Sequence, residues 1–206
     1  MSRFYIPLDE TTRTKVLPRF SSITSIGKSV LEKVFENCSG LTGSVSFPKL
    51  STIDESGLYY AFYGCTGLTG SISFPNLTTI GMSGLSNAFE HCTGITGISF
   101  PKLTSIDANG LYGAFYGCTG LTGSISFPNL TTIKISGFDS AFSGCTGITG
   151  ISFPKLTSIN GGGLYYTFEK CTGLTEIHFK SSLSGNSECT ASNMACTNAT
   201  IYFDLP

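Results

Sequence analysis

Charge is the scarcest ingredient of this sequence. Lys, Arg, Asp and Glu together make up 12% of its 206 residues, against a usual share of roughly 25%. The 12 basic and 13 acidic side chains leave a formal net charge of −1, which argues against a nucleic-acid backbone or an anionic membrane as the main partner, since both need a clustered positive field. Tryptophan is absent and there are two histidines. No apolar run reaches the roughly 18–20 residues of a membrane span, so no direct membrane insertion is expected. The first twenty residues, MSRFYIPLDETTRTKVLPRF, lack the roughly 7–15-residue apolar stretch of a signal peptide. The polar surface must therefore come from Ser, Thr, Asn and Gly.

What is present is a repeat. Phenylalanine recurs at Phe35, Phe62, Phe89, Phe115, Phe142 and Phe168, at spacings of 27, 27, 26, 27 and 26. Cysteine follows three residues later each time, at Cys38, Cys65, Cys92, Cys118, Cys145 and Cys171. The 26-residue copies lack one serine, as LTGSISFP at Leu68–Pro75 and ITGISFP at Ile95–Pro101 show. A longer period overlies this one. Residues 62–114 and 115–167 are both 53 long and differ at few positions, the pattern left by duplication of a two-coil unit.

Each copy reads as one turn of a solenoid. Alternation of Ser71, Ile72, Ser73 and Phe74 is the period-2 signature of a strand with one buried face, and Pro75 ends it by offering no N–H to a ladder. Leu77 and Ile80 point inward at the corner. Leu85, Ala88, Phe89 and Cys92, at spacings of 3, 1 and 3, predict a short helix with one inward face. Gly94 reads as the left-handed residue that ends it. A lone coil cannot bury its apolar face, but stacked coils share one core. The predicted fold is an α/β solenoid of about seven 26–27-residue coils, with a parallel sheet on one side and short helices on the other. At about 4.8 Å per strand it would be roughly 30–35 Å long. Residues 1–22 are expected to form an N-terminal cap, 23–179 the array and 180–206 a C-terminal cap, in one continuous domain.

The combination A-F-x-x-C-T-x-L-T-x-I-x-F-P, carried by Ala61-Phe62, Cys65-Thr66, Leu68-Thr69, Ile72 and Phe74-Pro75, resembles the leucine-rich repeats of the BspA-like class of bacterial surface proteins. The resemblance covers roughly residues 23–179. It implies adhesion to a protein, cell or surface, an extracellular or cell-surface location, and no catalysis or cofactor.

The residues themselves supply no catalytic constellation. Six cysteines occupy one inward position per coil with no C-x-x-C pair, which argues against zinc. Equivalent Cα atoms about 5 Å apart would permit a bridge, but parallel thiols in a core pack as small hydrophobes. Cys189 and Cys196 lie outside the array and can be bridged or free. His91 beside Cys92 is expected to be exposed, and the nucleophile pairing would need an exposed, activated thiol. His178 is expected on the outward sheet face beside Glu176. No G-x-S-x-G elbow or phosphate loop occurs.

Two surfaces remain as candidate binding sites for a protein or glycan. The outward sheet face carries Ser71, Ser73, Ser124 and Ser126 and their equivalents, a smooth ladder of hydroxyls. The corner-and-helix side carries Tyr59, Tyr60, Tyr63, Tyr112, Tyr116, Tyr165 and Tyr166, large rigid contacts of the kind enriched in recognition surfaces. A protein partner is expected on the tyrosine side and a glycan on the serine side. The alternative is a structural spacer, or a phage or surface-appendage component that displays another domain.

Overall fold

The computed structural model describes residues 17–205, so the expected N-terminal cap lies largely outside the described residues. In chain order the strands are β1 (Ser25–Ile26), β2 (Thr52–Ile53), β3 (Gly70–Ser73), β4 (Thr79–Ile80), β5 (Ile95–Ser99), β6 (Ser105–Ile106), β7 (Thr122–Ser126), β8 (Thr132–Ile133), β9 (Gly147–Phe153), β10 (Ser158–Ile159), β11 (Glu176–Lys180) and β12 (Thr200–Leu205). Every pairing between them is parallel, and each joins neighbouring coils. The described residues form a stack of about seven coils, with two walls of strand and one of turns.

The short strands form an unbroken six-stranded corner sheet in the order β1-β2-β4-β6-β8-β10. Its outer edge is a second ladder, in which the hydroxyls of Ser51, Thr78, Thr104, Thr131 and Thr157 each donate to a backbone carbonyl of the preceding coil at 3.0–3.3 Å. The single long sheet expected from the sequence is instead split, into β12-β11-β9-β7 and β3-β5. The inserted serine explains the split. A long copy pairs with the short copy that follows it through a register shift, at Gly70/Ser71 and again at Gly123/Ser124. Where short β5 meets long β7, the extra residue comes on the other side and no strand pairing forms among the described residues.

The third wall corrects the helix expectation. In the Phe62 coil, Tyr59, Ala61, Tyr63 and Cys65 donate their N–H groups three residues back, to Ser56, Leu58, Tyr60 and Phe62 at 3.0–3.2 Å. The alternate residues Ser56, Leu58, Tyr60, Phe62 and Gly64 donate instead to Met82, Gly84, Ser86, Ala88 and Glu90 of the next coil, at 2.8–3.0 Å. Every fourth residue is left-handed, with φ of 55° at Ser56, 52° at Tyr60 and 67° at Gly64, which an α-helix near −63° cannot contain. This wall is a ribbon of successive turns. The reason is width: an α-helix with side chains is roughly 10–12 Å across, whereas coils here repeat at 5.0–6.1 Å along the phenylalanine stack. The 3-1-3 apolar spacing also repeats every four residues, so it satisfies the turn ribbon as well as a helix. Gly94 is corrected too: it is not among the positive-φ glycines, and a Cβ there would collide with the Leu68 carbonyl oxygen of the preceding coil. The α-helix of the described residues is Ala191–Met194, in the C-terminal segment, capped by the Thr190 side chain. That segment buries Leu183, Cys189, Met194 and Cys196 against the end of the stack.

Two columns of phenylalanine fill the core. Phe35, Phe62, Phe89, Phe115, Phe142 and Phe168 stack near-parallel, at interplanar angles of 3–15°. Phe47, Phe74, Phe100, Phe127, Phe153 and Phe179 form the other column at 5.1–5.9 Å. Phe20 lies flat on Phe47 at 4.6 Å and edge-on to Phe35 at 6.0 Å, closing both columns at the N-terminal end. Beside the first column the thiols run as a ladder. Cys65, Cys92, Cys118, Cys145 and Cys171 each donate to the carbonyl of a phenylalanine one coil earlier, at 2.9–3.1 Å.

Phe115 has ring neighbours on both sides and is fully buried. Phe115→Ala is expected to lower the unfolding free energy by about 3–5 kcal/mol through the cavity it leaves, measured by urea denaturation. A loss below about 1 kcal/mol would contradict the stacked-ring core.

Candidate functional site

The turn ribbon sets the candidate site, because it fixes which side chains leave the core. Within each coil the residues just before and at the second left-handed position form a column along this wall, and their identity alternates; Ser86 and Asn87 in that column are buried. The pairs are Tyr59-Tyr60, Ser86-Asn87, Tyr112-Gly113, Asp139-Ser140 and Tyr165-Tyr166. Tyrosine coils and small polar coils thus take turns along the axis, with the 53-residue period of the duplication.

The tyrosines are mutually organised. Tyr59 meets Tyr60 edge-on at 4.6 Å, and Tyr60 lies 5.3 Å from Tyr63. His91 bridges to the next tyrosine coil, edge-on to Tyr63 at 6.0 Å and to Tyr116 at 5.5 Å. Lys33 Nζ sits 5.5 Å over the Tyr60 ring, and Tyr165 contacts Tyr166 at 4.1 Å. Tyr112, Tyr165 and Tyr166 are 39%, 43% and 41% exposed, while Tyr59, Tyr60, Tyr63 and Tyr116 are half-buried. Tyr60 and Tyr166 hold left-handed backbone, φ 52° and 48°, where an aromatic residue is disfavoured. Burial raises the Tyr60 phenol above its ordinary value, helped by the fields of Tyr59, Glu90, Tyr63 and Tyr112.

Between the tyrosine coils lies a hydrogen-bonded polar floor. Ser86 Oγ donates to Asn87 Oδ1 at 3.2 Å and Asn87 Nδ2 donates to Glu90 Oε2 at 2.6 Å. One duplication later, Ser140 Oγ donates to Asp139 Oδ1 at 2.8 Å and Ser143 Oγ to Glu169 Oε2 at 3.1 Å. Burial raises the carboxyl pKa of both Glu90 and Asp139, against the hydrogen bonds that lower it. Lys33, Ser86, Asn87, Glu90 and Asp139 were not singled out by sequence reasoning. Their signal was available only as equivalence of position with the tyrosines once the coils are superposed.

The serine face is plainer. Ser71, Ser124 and Ser126 are exposed and Ser73 is half-buried, and Ser152 Oγ donates to Ser126 Oγ at 2.9 Å. The gap between β5 and β7 interrupts this face. At its C-terminal end His178 does more than sit beside Glu176: Nδ1 lies 3.0 Å from Asp204 Oδ1, Nε2 lies 3.6 Å from Glu176 Oε2, and the ring stacks on Tyr202 at 4.7 Å. The Asp204 hydrogen bond raises the His178 pKa above 6.5. Elsewhere, a shallow depression of about 250 Å³ on the corner sheet is lined by Asp54, Thr79, Asp107 and Lys134 among others, with Lys134 Nζ 3.1 Å from Asp107 Oδ1.

Chemistry on the thiols is closed off by burial. All eight cysteines are buried thiols outside any disulfide, and burial pushes Cys92, Cys118 and Cys145 far above the ordinary thiol range and Cys171 up to about 12. His91 faces tyrosine rings and Glu90 rather than an activated thiol. Among the described residues no group of three or more His, Cys, Asp or Glu is placed to hold a metal ion, and no helix is long and apolar enough to cross a membrane.

Comparison with protein families matches the chain to the BspA type leucine rich repeat region, in six copies, over residues 28–160 and 85–204. No curated protein matches it. Among solved structures it is similar to a leucine rich cell surface protein from Faecalibacterium prausnitzii A2-165, at 14% identity and a TM-score of 0.28, over 89% of this chain and 84% of that one.

Two titrations follow from this geometry. A thiol whose folded pKa is raised contributes stability that is complete below its unfolded value, roughly 8.5, and is lost as pH rises toward the folded value. Cys171→Ser keeps a donor for Phe142 but no longer ionises in this range. It should remove about 1.4 kcal/mol per pH unit from the alkaline loss of stability between roughly pH 9 and the Cys171 value of about 12. Urea denaturation across that range measures it, and an unchanged slope would mean the thiol is open to solvent. For His178 the raised pKa adds stability below about 6.5 that fades as pH climbs through the higher folded value. Asp204→Asn should bring the His178 midpoint down toward 6.5 in an NMR titration; an unmoved midpoint would remove Asp204 as the cause.

Proposed function

Because this chain belongs to the BspA type leucine-rich-repeat family, we propose that it is a non-catalytic interaction module, displayed on a bacterial surface or secreted, that grips a protein or glycan through its tyrosine face. The observation that carries this reading is the pairing of invariant core with a costly surface. The inward Phe, Leu, Ala and Cys positions repeat almost unchanged, yet the outward turn positions hold large rings on every second coil, two of them on left-handed backbone. A solenoid needs none of those rings to fold. Backbone held in a disfavoured region costs of order 1–3 kcal/mol, and exposed aromatic anchors are the residues that dominate interface energies.

The serine face supports a weaker claim to the partner. It is interrupted between β5 and β7, and its hydroxyls partly satisfy one another.

The test uses immobilised arrays of extracellular matrix proteins and glycans, probed with three folded forms: wild type, Tyr59→Ala with Tyr165→Ala, and Ser73→Glu with Ser126→Glu. The tyrosine pair is expected to lose about 30-fold or more in affinity for whatever wild type binds, the scale of a hot-spot residue, and the serine pair to lose little. Loss confined to the serine pair would place the partner on the sheet face. A wild-type protein that binds nothing on either array would favour the spacer reading.

A further inference from the structure

We propose that the tyrosine face binds a β-1,4-linked chain of neutral hexopyranoses, laid along the solenoid axis at one sugar per coil. This rests on the reading that the tyrosine face is the binding surface, and it names the ligand class.

The first argument is periodicity. Each coil advances 5.0–6.1 Å along the core phenylalanine column behind this face, close to the advance of one hexopyranose in an extended β-1,4 chain. Successive sugars in such a chain are turned by about half a rotation, so the same face recurs on every second sugar. The protein has the same alternation: Tyr59, Tyr60 and Tyr63 on one coil, the half-buried Glu90 on the next, then Tyr112 and Tyr116, then the half-buried Asp139 and Ser140, then Tyr165 and Tyr166. Polypeptide ligands fall out of step. An extended peptide presents the same face every ~6.6–6.8 Å, which matches neither one coil nor two. A polyproline turn of ~9.3 Å is shorter than two coils, which span roughly 10–12 Å at the ring spacing above.

The second argument is chemical complementarity. Tyrosine rings offer flat apolar faces to the C–H face of a pyranose, and Tyr112, Tyr165 and Tyr166 are exposed on this wall. Between them lie the half-buried carboxylates of Glu90 and Asp139, held by Asn87 and Ser140. Those oxygens accept from sugar hydroxyls and repel peptide carbonyls. Glu36, Glu90, Asp139 and Glu169 all lie in these turn columns, with Lys33, Lys170 and His91 as counterweights, so an acidic or sulfated chain is disfavoured. The serine face has the hydroxyls but no ring on β3, β5 or β7 to stack a sugar.

Titration calorimetry with cellohexaose and chitohexaose is the test, with their disaccharides, maltohexaose and a proline-rich decapeptide as comparators. At least one β-1,4 hexaose should bind about tenfold or more tighter than its disaccharide and than maltohexaose. Tyr112→Ala, on the central tyrosine coil and remote from the core, should weaken that binding by about tenfold or more, with Tyr165→Ala as the second variant and Ser73→Glu with Ser126→Glu as the unaffected control. Absence of binding by both β-1,4 hexaoses, equal binding of hexaose and disaccharide, or indifference to both tyrosine variants overturns the proposal. If the decapeptide or an array protein binds, is lost in Tyr112→Ala, and the sugars do not bind, the glycan assignment falls while the tyrosine face stands. If the hexaose binds and only the serine pair abolishes it, both fall.

Discussion

The distance between neighbouring coils governs this molecule. Parallel backbone pairing holds adjacent strands about 4.8 Å apart, and every other layer must repeat at nearly that pitch. Phenylalanine meets the requirement by stacking flat, which is why both core columns show near-parallel rings 5–6 Å apart. The thiol column meets it with a side chain small enough to lie beside the rings and still donate to a carbonyl one coil back. Gly94 and its equivalents meet it by having no Cβ where the preceding carbonyl oxygen passes. A helix per coil would be twice too wide, so the third wall becomes turns whose alternate N–H groups reach across to the next coil.

That turn ribbon links architecture to function. In a helix, the residues at and before the second left-handed position would lie among neighbours three and four apart on one cylinder. In the ribbon they form columns along the axis, so residues 25 or 26 apart in sequence become hydrogen-bonded neighbours. Duplication of a two-coil unit then writes a two-coil alternation onto the surface, rings on one coil and small polar groups on the next. The same duplication carries the extra serine in the copies beginning at Leu68 and Leu121 but not in those beginning at Ile95 and Ile148, and the long sheet is broken between β5 and β7 while the corner sheet stays whole. One event in the history of the sequence therefore orders one face and interrupts the other.

The inward residues were legible in the sequence because burial repeats with the period of the coil. Phe89, Cys92, Leu85, Ile72 and Phe74 all read as core from spacing alone, and all are buried. The strands and the parallel stacking followed from the same pattern, since a coil with one apolar face has no other place to bury it. The tyrosines were visible as the residues that the core did not require. Their partners were not. Glu90, Asn87 and Asp139 are ordinary polar residues in sequence, and only the stacking of coils brings them between the rings. His178 likewise read as a neighbour of Glu176, two residues away; Asp204, which lies 3.0 Å from its ring, is 26 residues distant.

By itself the sequence determined the repeat, the inward set and the solenoid, because periodic burial needs no knowledge of the neighbouring coil. It could not choose between helix and turn, since a 3-1-3 apolar spacing places the same residues inward in either. The tertiary structure made that choice through the coil pitch, which is too small for a helix and right for hydrogen bonds from one coil to the next. It also decided the composition of the outward columns, because contacts between coils are set by stacking order, and stacking order is invisible along a single turn of the chain.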